Sequence, residues 1–275
     1  MRRTKNSQKA VTALNNKLWN NMWQAFCPWV GGADISPLKP VPVSSNRRRQ
    51  RTSWMIAFAV VAALAGNASS AAAYEYDPSL LHYASLNNKT PNDNAASRVP
   101  QLFGTGEQRH SDLRPFTKWT GVISKFKKEF RSSTNKPQVQ KWMMMLGSLA
   151  NASTSQKIEA VNNYMNKVAF VPDSKNYGVK DNWATPMEFM ARGGDCEDYA
   201  VAKYVSLRAL GIPKDKMRIA IVNDEVMRMP HAVLIVYDRG QAMVLDNQNP
   251  AILNSADISR YRPIYSISQV AWWRH

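Results

Sequence analysis

This chain is short of cysteine, of acid and of long apolar runs. Its 275 residues include two cysteines, Cys27 and Cys196, too few for a disulfide framework. Asp and Glu number 20 against 36 Lys and Arg, a net charge of +16. No apolar stretch reaches the roughly 20 residues that span a bilayer, which argues against a permanent transmembrane helix. There is no internal repeat, so solenoid and propeller architectures are excluded.

The surplus of positive charge is unevenly spread. Residues 1–73 hold ten of the Lys and Arg and one acid, Asp34, which leaves 26 basic against 19 acidic residues, a net of +7, over residues 74–275. That is a mildly basic surface with no dense basic stripe, so a nucleic-acid partner is not expected. The basic run Arg47-Arg48-Arg49-Gln50-Arg51 precedes an apolar run from Trp54 to Ala65, and small residues then lead to Ala71-Ala72-Ala73. Basic, apolar and Ala-x-Ala segments in that order describe a secretory signal peptide over 47–73, cleaved near Ala73–Tyr74, with no stable membrane span afterwards. Residues 1–46, rich in Pro and Asn, read as an extension arising from a misplaced start, against which Leu18, Trp19, Met22, Trp23 and Phe26 show helical spacing. Residues 74–110 read as a polar entry segment, and 111–275 as one domain. Export would separate Cys27 from Cys196 and leave a single thiol, which is then either buried and inert or a nucleophile.

Periodicity within the domain places helices first and strands second. Trp119, Val122, Ile123, Phe126 and Phe130 share one helical face over about 113–131. Further helices are expected over 137–150 and from Thr154 to Val168, with Trp142 to Met145 as core filling. Thr185-Pro186-Met187-Glu188 is a helix start with its cap, ending at Gly193-Gly194. The next helix opens near Cys196 and stops at Gly211, with Pro213 behind it. Met217–Val222, Ala232–Tyr237 and Ala242–Leu245 are strand-like, and Asp224-Glu225 read as a solvated loop. Segregated helices and antiparallel strands make an α+β domain.

Cys196 stands at a helix N-terminus, which favours a thiolate, among Asp195, Glu197 and Asp198, which oppose one. A thiol nucleophile needs a base, and the base needs an orienting partner. Of the four histidines, His82 and His110 lie in polar segments and His275 is terminal, whereas His231 opens an apolar strand. With a two-residue turn centred on either Asp238-Arg239 or Arg239-Gly240, His231 and Asp246 fall on the same face of a hairpin, directly opposite or diagonal. Cys196, His231 and Asp246 then form a candidate triad. The bland alternatives are a satisfied strand-end histidine and acids that only cap a helix.

These residues resemble a known family. The segments Asp181–Glu188, Gly193–Tyr204, Leu207–Pro213, His231–Leu234 and Val244–Asn247 are together similar to the bacterial transglutaminase-like cysteine proteinases, of which the LapG-type periplasmic proteases are members. The resemblance spans most of residues 110–270 and implies a papain/transglutaminase-like fold with Cys196, His231 and Asp246 catalytic. It implies a periplasmic, Ca²⁺-dependent endopeptidase that cleaves a large repeat adhesin near its N-terminus and so promotes biofilm dispersal. It also implies sequestration by an inner-membrane cyclic-di-GMP receptor. Calcium would lie on Asp195 and Glu197. On a regular helix those two diverge by about 200°, so Asp195 must sit in the non-helical entry, with Asp198 or backbone carbonyls completing the shell. Residues 1–46 depart from the family pattern. A transglutaminase-like acyltransferase, a cell-wall peptide hydrolase and a non-catalytic calcium-binding module are the alternatives.

Overall fold

The structure, a computed structural model, describes residues 100–133 and 136–275. The expected extension, signal peptide and cleavage point, and most of the polar entry segment, lie outside the described residues.

Among the described residues six helices precede most of the strands: α1 Thr117–Ser133, α2 Pro137–Ser148, α3 Thr154–Met165, α4 Asp173–Asn176, α5 Pro186–Arg192 and α6 Cys196–Ala209. Several start where local chemistry starts them. Pro137 occupies the first turn of α2, where its missing N–H costs nothing. Ser153 and Gln156 form a reciprocal capping box on α3, and Thr185 and Glu188 form another on α5. The aromatic face of α1 is buried as the spacing requires, including Trp119, Phe126 and Phe130. In the methionine run, Trp142 and Met143 are core, while Met144 is 65% exposed.

The strands are β1 Gln108–His110, β2 Met217–Asp224, β3 Met229–Asp238, β4 Gln241–Leu245, β5 Leu253–Asn254, β6 Tyr261–Ile267 and β7 Trp272–Arg274. They form one antiparallel sheet in the order β1-β7-β6-β2-β3-β4-β5. β1 and the wholly buried Leu102 precede residue 111, so the fold draws on the segment read as a polar entry. The other departure is Asp224, read as part of a solvated loop. It ends β2, is wholly buried, and is bonded by Arg260 and by the N–H groups of Val226 and Met227. A carboxylate satisfied this way can be buried; only an unpaired one must face water.

Period-two alternation gives the sheet two distinct faces. Ala232, Leu234 and Val236 of β3 pack in the main core with α6 and the other helices. Val233, Ile235 and Tyr237 pack on the other face with Leu102, Val222, Val244 and Tyr261. In β6 the register against β2 shifts by one residue, since Ile221 pairs with Tyr265 but Val222 with Pro263. Ile264 is the extra residue of this bulge. Tyr265 and Ile267 therefore face the helices, whereas Tyr261 joins the opposite face.

Candidate active site

The β3–β4 hairpin sets the geometry of the basic half of the site. Asp238 pairs with Gln241, leaving Arg239 and Gly240 as the two turn residues, both at positive φ (47° and 77°). This is the pattern of the twist-matched two-residue hairpin turn. Leu234 pairs with Leu245, so Asp246 is the diagonal neighbour of His231 on the same face. Of the two registers the spacing allowed, this is the one centred on Arg239-Gly240.

His231 Nε2 lies 2.8 Å from Asp246 Oδ1, and both residues are buried. A carboxylate can only accept, so Nε2 carries the hydrogen and Nδ1 keeps its lone pair. Gln248 Nε2 approaches that lone pair at 3.4 Å. Asp246 accepts two further bonds, from Tyr261 Oη to Oδ2 at 2.5 Å and from the Gln248 main-chain N–H to Oδ1 at 2.9 Å. Burial pushes this carboxyl up, but the His231, Tyr261 and Gln248 hydrogen bonds outweigh it and hold Asp246 below the ordinary carboxylate range.

Cys196 is the first residue of α6, and Asp195 before it is extended (φ −107°, ψ −163°), the non-helical entry that a shared ion requires. Two glycines make the entry possible. Gly193 has φ of 79°, and a Cβ on Gly194 would fall 2.7 Å from the Cβ of Asp198. The main-chain N–H of Ala232, the residue next to His231, favours the Cys196 thiolate. Cys196 and His231 therefore sit on adjoining elements, α6 and the start of β3. In this state the thiol donates to Glu197 Oε2 at 3.2 Å. Burial, and then the Glu197 and Asp195 carboxylates, push the thiol well above its ordinary value.

The acids gather more tightly than the sequence indicated. Ligand atoms of Asp173, Asp195 and Asp198 lie within 4.8 Å of one another, and so do those of Asp173, Asp181 and Glu197. Burial and mutual repulsion raise Asp173 to about 6 and Asp198 to about 8, and push Glu197 well up. Oxygens of Asp173 (Oδ1), Asp181 (Oδ1), Asp195 (Oδ1) and Glu197 (Oε1) are buried and meet no N–H or hydroxyl donor among the described residues. Several buried carboxylates without donors fit a hard dication with oxygen ligands. Asp198 is partly committed elsewhere, accepting from the N–H groups of Ala184 (2.6 Å) and Asp195 (3.3 Å). Asp173 and Asp181 thus join Asp195, Glu197 and Asp198 in the acidic cluster. Asp173 carried no local signal; it is 22 residues before Asp195, to which its own N–H is bonded.

Trp183 is 9% exposed and stacks edge-on with Trp119 at 6.3 Å, while the Asn182 N–H donates to Asp173. Both thus support the acid cluster and the core. Among the described residues no helix is long and apolar enough to cross a membrane.

Residues 125–273 match the family model of the bacterial transglutaminase-like cysteine proteinases. The chain belongs to that family. Its α+β architecture is the papain/transglutaminase-like fold of these proteinases. Among solved structures, calcium-bound LapG of Legionella pneumophila is 28% identical with a TM-score of 0.48, covering 55% of this chain and 86% of that one. The EGTA-treated LapG of the same organism is 29% identical with the same TM-score, covering 55% and 84%. A putative cysteine protease from Cytophaga hutchinsonii is 16% identical with a TM-score of 0.33, covering half of each chain. No curated protein matches the chain.

Proposed function

We propose that this proteinase is a calcium-dependent endopeptidase with Cys196 as nucleophile, His231 as base and then acid, and Asp246 as orienter. The observation that carries the reading is the His231–Asp246 pair. It leaves the Nδ1 lone pair, which the Gln248 amide approaches at 3.4 Å, as the base, one residue from the main-chain N–H of Ala232 that favours the Cys196 thiolate.

In the acylation step Cys196 Sγ attacks the scissile carbonyl carbon and its proton passes to His231 Nδ1. Asp246 holds the Nε2 hydrogen throughout and stabilises the imidazolium. The imidazolium protonates the departing amine as the C–N bond breaks and leaves a thioester. Water then gives a proton to Nδ1 and attacks the thioester, releasing the acid and the thiol. The main-chain N–H of Cys196, at the open end of α6, is the donor assigned to the oxyanion. Asp173, Asp181, Asp195 and Glu197, with Asp198 beside them, would hold the calcium ion. When bound it supplies positive charge that offsets the carboxylates opposing the thiolate.

A large repeat adhesin as substrate, the periplasm as compartment and a cyclic-di-GMP receptor as sequestering partner follow from the family resemblance of the motifs. The test is incubation of the purified protein with the N-terminal part of such an adhesin from the same genome, with calcium or with chelator, and with an added amine. Mass spectrometry is expected to show two hydrolysed fragments that need both calcium and Cys196. Undiminished cleavage by Cys196→Ala would sink the nucleophile assignment, and an amine adduct would indicate acyl transfer instead.

A further inference from the structure

Gln248 has no place in the steps above, yet it touches the atom on which they turn. Its Nε2 lies 3.4 Å from Nδ1 of His231. Its main-chain N–H donates at 2.9 Å to Oδ1 of Asp246, the oxygen that His231 also uses. One residue therefore meets both members of the pair. Gln248 is exposed, whereas His231 is 2% exposed, so a solvent-facing side chain reaches a buried imidazole.

A neutral imidazole has one ring lone pair, which takes one hydrogen at a time. With the Nε2 hydrogen on Asp246, that lone pair is on Nδ1, where the Gln248 amide stands. The thiol in the same state donates to Glu197 Oε2 at 3.2 Å. Cys196 and His231 are thus each bonded elsewhere. Any group that exchanges a proton with Nδ1 must come to the place the amide holds: the thiol, then the departing amine, then water.

The frame around Gln248 shows which part can give way. Asn166 Nδ2 donates to the Asp246 carbonyl at 2.8 Å, and Asn162 Nδ2 to the Pro250 carbonyl at 3.2 Å. Asn162 lies in α3 and Asn166 caps it, so the main chain is fastened to that helix on both sides of Gln248. The exposed side chain is left free to turn, as exposed rotamers do within nanoseconds. Its contact with Nδ1 is longer than the usual hydrogen-bond range and so is readily exchanged.

Resting on the reading of His231 as the base for Cys196, we propose that Gln248 is a displaceable cap on that base. In the free enzyme its carboxamide holds the Nδ1 lone pair. A substrate chain entering on the amine side of the scissile bond takes the place of the amide. The side chain swings out to solvent while its main-chain N–H stays on Asp246. Nδ1 is then open to the thiol proton, and the base stays occupied until a peptide arrives.

The test uses the full protein with calcium and compares the parent with Gln248→Met, which keeps the side-chain length and the main-chain N–H but lacks the amide. Alkylation of Cys196 by iodoacetamide without substrate, followed by mass spectrometry of its peptide, is expected to be about fivefold faster, the scale of one neutral hydrogen bond. In a His231→Ala background the same substitution should change nothing. In ¹⁵N NMR the Nδ1 resonance of His231 should move downfield as its lone pair loses the amide hydrogen. An unchanged rate with an unmoved resonance would overturn the proposal. Equal gains in both backgrounds would overturn it too, since the side chain would then only screen the thiol. If Gln248→Met does not fold, Gln248→Ala is read by the same measurements. Should His231→Ala alone alkylate at the parent rate, the base assignment of the endopeptidase fails instead. The resonance needs neither thiol nor substrate, and still decides whether Gln248 caps the ring.

Discussion

Tyr261 donates its phenolic hydrogen at 2.5 Å to Oδ2 of Asp246, the carboxylate oxygen that His231 does not use. Asp246 is thus held from two sides, by the first residue of β6 and by the imidazole of His231. Removing the hydroxyl leaves the ring in place and one carboxylate oxygen without a donor. Tyr261→Phe is expected to lower kcat about tenfold, with a stability loss of about 1 kcal/mol, the usual scale for one buried hydrogen bond. Steady-state kinetics and denaturant unfolding separate the two effects.

Calcium removal is expected to act on stability as well as on activity. An ion that binds only the folded state stabilises it by roughly 2.7 kcal/mol at 100 times its Kd. Chelation is expected to lower Tm and abolish cleavage together, and added calcium to restore both. Asp173→Asn should weaken calcium binding in titration calorimetry while leaving the His231–Asp246 pair intact. Calcium affinity indifferent to Asp173 would remove it from the ligand set.

Two glycines should respond in opposite directions to a single methyl. Gly194→Ala drives a Cβ into the Asp198 side chain, 2.7 Å from its Cβ in the first turn of α6, and should cost about 3 kcal/mol. Gly121, inside α1, has open space around it, and Gly121→Ala should gain about 0.5–1 kcal/mol. Thermal melts of both variants decide this.

Asp224 provides a pH signature away from the catalytic residues. Burial raises its carboxyl, but Arg260 and the N–H groups of Met227 and Val226 win and hold it below the ordinary value. The folded state thus binds this proton less readily than the unfolded chain. The resulting stability is complete above the unfolded value, about 3.9, and is lost as pH falls through the lower folded one. Asp224→Asn should be less stable at neutral pH and lose less than the parent between pH 5 and 3, as Tm against pH will show.

The helices and the central hairpin were legible because their signals are local. Thr185 with Glu188 announces a cap, Gly211 a stop, and the apolar residues of α1 recur at helical spacing. The edge of the sheet was not legible. β1 and β7 have three residues each and pair Gln108 with Arg274 across most of the domain. Pro263 disguises β6, since proline belongs at a bulge or an edge and hides the alternation around it. The same distance hid Asp173, a lone acid in a polar loop until folding sets it against Asp195. Triad candidates emerged by a different route, because hairpin parity ties His231 to Asp246 whichever two-residue turn is used. Gln248 was not legible, since nothing local distinguishes a loop amide that meets a histidine from a solvated one.

The extra residue Ile264 in β6 governs whether Asp246 has its second anchor. Drawing it into an unbroken ladder, with Val222 opposite Ile264 in place of Pro263, would shift the start of β6 by one residue and turn Tyr261 to the helix side. Cysteine, histidine and aspartate would all remain at their places in the sequence, while the aspartate lost its brace. Family membership judged by the presence of three residues would count such a chain as intact. Parity along one strand, which no motif records, separates a relative that carries the triad from one that can hold it in tension.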